Sequence, residues 1–273
     1  MNTKLIRAVQ SALLLSGAVV MVFPMVWMVI VSLHDTPERY RNLLALVAAP
    51  WTLQNYWDAL TSDRFGLYFA NSLLVAAAVT VGNLVFCFLV AYSLARKQLR
   101  GKALLWATIV GMLALPSHLL LIPLYRMMVA IGWINTYAAL IVPWMVTPFG
   151  IFFLHQYLQS LPAELEDAAR LDGAGEMAVL TRVVAPLARP ALVVLGVYTF
   201  LANWNSFLFP FLLTNDETHR TLPVALAFYL GKQSIDWGHL MAGASIAALP
   251  ILIVFVLFQR TIITALTAGA LKG

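Results

Sequence analysis

Residues 65–95 read "FGLYFANSLLVAAAVTVGNLVFCFLVAYSLA", an unbroken run without Asp, Glu, Lys or Arg. A helix crosses the hydrocarbon of a bilayer with about 20 mostly apolar residues, and this run is longer. It has no polar stripe of the kind a surface helix turns to water. Similar uncharged runs occupy 8–33, 103–125, 127–163, 190–215 and 240–259. Inside lipid the backbone must satisfy its own polar groups, and segments of this length do so only as helices. The predicted fold is therefore all-α: one polytopic membrane domain over 1–273, with spans near 11–33, 68–95, 103–124, 135–158, 190–213 and 240–260. A seventh apolar stretch, 221–231, is too short to cross.

Composition excludes a soluble protein. Of 273 residues, 62% are hydrophobic and 11% charged, with a mean hydropathy of +0.85; soluble domains average about 45–50% and about 25%. The net charge of +5 is then a topology signal, and its basic residues are too dispersed for a nucleic-acid footprint. Cys87 is the single cysteine, which excludes an internal disulfide. Lys4 and Arg7 precede the first apolar run, yet that run exceeds the about 7–15 residues of a secretory core and shows no cleavage site, so it reads as a retained span.

Orientation follows from the short loops. "ARKQLRGKA" after the second run carries Arg96, Lys97, Arg100 and Lys102, whereas the next loop carries only Arg126. The positive-inside rule places the first in the cytoplasm and the second outside. Both termini are then cytoplasmic, in keeping with Lys4, Arg7, Arg260 and Lys272. The loop 160–189 between the fourth and fifth spans faces the same side, and loops near 34–64 and 214–239 lie outside.

That cytoplasmic loop opens with "LPAELEDAARLDGAGEM", Leu161 to Met177, which holds five of the chain's twelve carboxylates: Glu164, Glu166, Asp167, Asp172 and Glu176. Ser160 and Pro162 are helix-start signals. A helix from Ala163 to Leu171 puts Glu164 and Asp167 near its positive end and Glu166 four residues before Arg170, the favourable order for a pair. Leu165, Ala168, Ala169 and Asp172 give a thin face beside the carboxylates. Gly173 supplies the positive φ that ends a helix, a second helical stretch begins near Glu176, and Pro186 and Pro190 lead into the fifth span. Small residues admit another backbone, and carboxylates beside them suit a basic partner.

These residues resemble a known family, the inner-membrane permease subunits of ATP-binding cassette importers. Their mark is Glu-Ala-Ala, three residues, Gly, nine residues, then Ile-x-Leu-Pro. Here the counterparts are Asp167-Ala168-Ala169, Gly173 followed by Ala174, and Val183-Val184-Ala185-Pro186, at the same spacing. Asp167 is one methylene shorter than the family's Glu, and Glu166 is the alternative for its contact. "LEDAARLDGA", the Pro186/Pro190 pair, "LTAGALKG" at the end, "NWNSFLFPFLL" and "FANSLLVAAA" resemble more narrowly the carbohydrate-uptake permeases, the smaller second subunit of the maltose-transporter type. The resemblance implies that the loop is a coupling helix lodged in a cytoplasmic ATPase. It also implies a companion permease as heterodimer partner, two ATPase subunits that bind ATP and Mg, an extracytoplasmic solute-binding protein, and residence in a prokaryotic inner membrane. The tail 267–273 is implied to reach between the ATPase subunits.

Physical reasoning independently asks for a borrowed engine. No stretch reads as a phosphate-cradling G-x-x-x-x-G-K-[ST] loop. No Asp, Glu, Lys or Arg falls within a predicted span, only His118 and His155 come near, and both read as packing or helix-end residues, so an ion relay is lacking. No residue set has metal-ligand spacing, and Glu164 and Glu166, two apart on one helix, point to different sides. No cofactor and no catalytic residue is expected in this chain. Movement of the loop is expected to tilt spans four to six between inward-open and outward-open states. A neutral sugar needs hydrogen bonds among aromatics, for which Asn71 in span two and Asn203, Trp204 and Asn205 in span five are candidates. Pro143 and Pro148 are expected to interrupt span four. The rival readings are the same importer class for a polyol or glycerol phosphate, and a self-contained carrier.

Overall fold

The computed structural model describes residues 3–37, 42–231 and 235–270, without the side chains of residues 3–6, 8, 43 and 261–270. The side chain of Lys4, those of 267–270 in the tail, and residues 271–273 with Lys272 therefore lie outside what is described. The described residues form helices and connecting turns with no strand. In chain order they are α1 (Thr3–Ser32), α2 (Leu43–Val47), α3 (Gln54–Thr61), α4 (Phe65–Arg96), α5 (Lys102–Leu113), α6 (Leu121–Ala130), α7 (Tyr137–Ile141) and α8 (Pro148–Gln159). Then follow α9 (Glu164–Leu171), α10 (Glu176–Ala178), α11 (Ala185–Leu187), α12 (Arg189–Trp204), α13 (Leu208–Leu213), α14 (Leu222–Leu230) and α15 (Trp237–Ala270).

Four stretches are long and apolar enough to cross a membrane: Val9–Ser32, Phe65–Arg96, Tyr137–Gln159 and Trp237–Arg260. Two bent pairs raise the number to six. Lys102–Leu113 and Ser117–Ala130 meet at 101°, and Glu176–Leu187 and Arg189–Trp204 at 75°. The run 103–124 is thus not one straight span. Pro116 disfavours the helical conformation of the residue before it and has no N–H to continue the ladder, so α5 ends at Leu113. The run 190–213 is also divided, because α12 stops at Trp204 and α13 restarts at Leu208. α14, with nine residues, is too short to cross.

The chain divides into two compact units, Met1–Phe69 with Leu222–Ile251, and Ala70–Thr221 with Leu252–Gly273. In the first, α3 is fastened beneath the end of α1. The Asn55 amide donates to the carbonyls of Ser32 (3.0 Å) and His34 (2.8 Å), and the Tyr56 and Ser32 hydroxyls meet at 2.7 Å. His239 Nδ1 lies 2.8 Å from Asp63, and Phe65 packs against Tyr229.

The second unit is built around α4. One apolar core joins Cys87, Phe88, Ala91 and Leu94 of α4 to Leu154 and Leu158 of α8, Val179, Leu180 and Val184 of the loop, and Leu195 of α12. Span four is broken between Trp144 and Pro148, where Pro143 and Pro148 stand. A broken helix in lipid needs substitute partners for its freed backbone groups, and α4 supplies them. Asn83, fully buried, donates to the Trp144 carbonyl (3.3 Å) and to the Thr147 hydroxyl (3.0 Å), and Thr199 of α12 donates to Asn83 Oδ1 (3.4 Å). Thr147 in turn caps α8 by accepting from Gly150 N–H at 3.2 Å. A Cβ on Gly150 would stand 2.9 Å from both Asn83 Oδ1 and Cys87 Sγ, so only glycine admits this approach.

Candidate functional site

The acidic loop folds as helix, glycine turn, helix. Ser160, expected to start α9, instead closes α8: its N–H and its hydroxyl both donate to the Tyr157 carbonyl, at 3.0 and 2.7 Å. α9 begins at Glu164 with no side-chain cap, and Glu164, Glu166 and Asp167 occupy its first turn, where the helix dipole favours acid. It ends on Gly173, whose φ is +86°. Gly173 N–H donates to Arg170 O and Ala174 N–H to Ala169 O, both at 3.0 Å, the paired bonds of a Schellman motif.

Glu166 does not face outward. Its side chain is 3% exposed and meets Arg96 Nε at 2.6 Å, with the Tyr92 hydroxyl donating at 3.2 Å and Arg170 at 3.3 Å. It therefore cannot take over from Asp167 a contact with an outside partner, because its oxygens are committed to α4. Arg96 also donates to the Leu161 carbonyl at 2.8 Å, tying the entry of the loop to the same helix end. Arg170 spans the glycine turn, reaching Asp167 at 2.8 Å and Glu176 at 3.3 Å. Glu176 pairs at 2.5 Å with Lys97; Lys97 first, then Arg170, hold its carboxyl below the usual carboxylate range.

What faces outward is the arc of Glu164, Ala168 and Leu171, flanked by Asp167 on one side and Leu165 and Asp172 on the other. Leu171 is 89% exposed, and Met177 across the turn is exposed too. Ala169 is half-buried against the core and does not belong to that arc. Ala174 packs there too, while Pro186 is exposed beyond a stretch of widened helical turns, Val179–Val184. The missing N–H of Pro186 and the clash of its ring with the carbonyl four residues back explain why regular turns stop there. Glu164 and Asp172 make no ion pair among the described residues. A greasy tip rimmed by acid is the chemistry of a docking knob.

Three residues of the candidate site are not marked as such by the sequence: Arg96 and Lys97, which it shows only as topology signals, and Leu171. A helical wheel over Glu164–Leu171 would have placed Leu171 outward beside Ala168. No sequence signal joins Glu166 to residues seventy positions earlier. The loop is bound to α4, in span two, as well as to spans four and five.

The proposed passage residues divide. Asn71 is 2% exposed and fully engaged: its amide donates to the carbonyls of Thr218 and Arg220, each at 2.9 Å, and accepts from Tyr137 at 2.6 Å. It clamps the 214–221 loop onto α4 and is not offered to a solute. Trp204 is likewise buried, stacked with Phe200 at 6.0 Å. Asn203 and Asn205 sit at the gap between α12 and α13, their amide nitrogens capping the carbonyls of Thr199 and Leu201, each at 2.8 Å. His155 is buried with its ring 4.0 Å from that of Trp106, and His118 stacks near Phe209.

Comparison with known proteins joins these features. Residues 84–268 match the family described as binding-protein-dependent transport system inner membrane component. A trehalose/maltose transport system permease protein of Thermococcus litoralis is 36% identical over 270 residues, covering 96% of each chain. An arabinooligosaccharides transport system permease protein of Halalkalibacterium halodurans is 34% identical over 94% of this chain and 93% of its own. A diacetylchitobiose uptake system permease protein of Streptomyces coelicolor is 32% identical over 97% and 89%. Among solved structures, a bacterial ABC transporter for import of the acidic polysaccharide alginate shares the fold, with a TM-score of 0.85 at 21% identity over 94% of this chain and 96% of that one.

Proposed function

The chain belongs to the family of binding-protein-dependent transport system inner membrane components, and from that premise we propose that it forms part of the passage for a sugar or oligosaccharide in an ATP-driven importer. It is a multi-pass membrane permease and not an enzyme. The sugar is inferred from the carbohydrate names its relatives carry. In this reading a companion permease completes the passage, a solute-binding protein delivers from outside, and two ATPase subunits hold ATP and Mg. The acidic loop and both termini face the cytoplasm.

The observation that carries the reading is the loop itself: an exposed tip of Leu171 and Ala168 on a helix that Glu166 and Arg96 hold to α4. A knob that receives a push must be braced, or the push is lost in the loop. Here a displacement of α9 passes through the Glu166–Arg96 pair to α4, and through the shared apolar core to α8 and α12. Two conformations of that packed unit then suffice to open the passage to either side. The interruption of span five at 205–207, with Asn203 and Asn205 beside it, is the proposed contact with solute, since irregular backbone at membrane depth belongs where it lines a cavity.

The test is reconstitution of the chain with its companion permease and ATPase in liposomes. Sugar uptake that requires ATP and the binding protein supports the proposal. Accumulation by the chain alone under an ion gradient would overturn it.

A further inference from the structure

In the second unit a groove of about 370 Å³ runs between α4, α12 and the latter part of α15. Its wall is Leu84, Leu192, Val193, Val197, Val254 and Phe258, with Gly196 at its floor and Arg189 at one end. The wall is too apolar to conduct a sugar, which needs polar partners. Arg189 begins α12 beside the acidic loop, is exposed, and makes no hydrogen bond or ion pair among the described residues. An unpaired guanidinium at the end of a greasy slot fits one ligand class: an anion carrying a hydrocarbon tail.

Dimensions agree. From Arg189 to Phe200, the far lining residue of α12, the helix climbs about 16 Å at its normal rise. Half of the bilayer hydrocarbon is about 15 Å. The groove is thus one leaflet deep, with its charge at the headgroup level. At Gly196 the groove meets backbone with no side chain; a Cβ there would lie in ordinary contact with Leu84 at 3.4 Å, and only a larger side chain would fill the slot.

We propose that this groove seats an anionic phospholipid of the leaflet on the side of the acidic loop, its phosphate on Arg189 and an acyl chain along Val193, Val197 and Phe200. The lipid would fill the slot between α4 and α12, two helices that the loop also joins. This rests on the chain being a membrane permease but not on which solute it carries.

The test uses the assembled importer, delipidated and reloaded with phosphatidylglycerol or phosphatidylcholine, each with a photoreactive acyl chain. Peptide mapping after illumination is expected to find phosphatidylglycerol on the 193–200 segment. The expected preference over phosphatidylcholine is about fivefold, the order of one basic residue at an anionic surface. Arg189→Gln should abolish the preference, while Arg182→Gln, another exposed arginine, should leave it intact. Gly196→Phe should remove labelling of the segment by both lipids. Equal labelling by the two lipids in the unmodified complex would overturn the proposal. So would crosslinking of a photoreactive side chain at position 193 to the companion permease, which would give the groove to protein. The readout is lipid attachment, so loss of sugar uptake and loss of labelling are separable results.

Discussion

Glu166 and Arg96 meet at 2.6 Å across seventy residues of sequence, with side chains 3% and 13% exposed. Arg96 is the nearest of three partners of the Glu166 carboxylate, with the Tyr92 hydroxyl at 3.2 Å and Arg170 at 3.3 Å. Removing it leaves a buried charge only partly compensated, at less than the about 3–5 kcal/mol of a wholly stranded one, whereas removing both Arg96 and Glu166 costs less still. Arg96→Ala is therefore expected to lower the thermal unfolding temperature of the purified permease complex, and Arg96→Ala with Glu166→Ala to recover much of the loss. The double variant should nevertheless transport poorly, since the loop is then stable but loosely held. Thermal unfolding and uptake measured on the two variants and the parent check this; an Arg96→Ala protein as stable as the parent would show that the pair braces nothing.

The end of α9 makes a conformational demand at Gly173. Nothing lies within 4 Å of a Cβ placed there, so the demand is its φ of +86° alone. Left-handed backbone costs a side-chain-bearing residue about 1–2 kcal/mol, and Asn tolerates it best. Gly173→Asn should keep most uptake and most ATPase co-purification, and Gly173→Val should lose both. Equal behaviour of the two variants would mean that free space, and not backbone conformation, is what the site requires.

Leu171 tests the docking face separately from the brace. It is 89% exposed in this chain, so Leu171→Asp has no packing to lose and should leave thermal stability unchanged. An apolar anchor buried at the centre of an interface is worth at least about 2 kcal/mol, and ATPase affinity should fall by about thirtyfold. Titration of the detergent-solubilised permease pair with the ATPase reads this directly. Unchanged affinity would move the docking face elsewhere on the loop.

The all-α membrane fold was legible because uncharged runs longer than a bilayer permit nothing else. The course of those runs was not. Apolarity is silent about bends, and the 101° turn after Leu113 depends on Pro116, one residue in a run that otherwise reads as continuous. The glycine turn of the loop was readable from spacing, since Gly173 is a local requirement. The direction of Glu166 was not, because it depends on where Arg96 lies in space. Asn71 shows the same limit: its residue type suits a sugar, and only the positions of Tyr137, Thr218 and Arg220 show that it is occupied.

Asn83 carries the last expectation, which concerns the broken fourth span. Its amide serves the Trp144 carbonyl and the Thr147 hydroxyl, and its oxygen accepts from Thr199, in a position with no exposure. Leu is of similar size but offers neither donor nor acceptor, so Asn83→Leu leaves these groups unmatched in lipid, at about 1–3 kcal/mol for each that stays unpaired. The break must then close into helix or collect water, and Pro143 and Pro148 prevent the first. Asn83→Leu is expected to destabilise the complex and to raise amide hydrogen exchange at residues 145–150, while Asn83→Gln retains part of the protection. Unchanged exchange in Asn83→Leu would mean that the freed backbone finds its partners within α7 and α8, and that α4 contributes packing there but no hydrogen bonds.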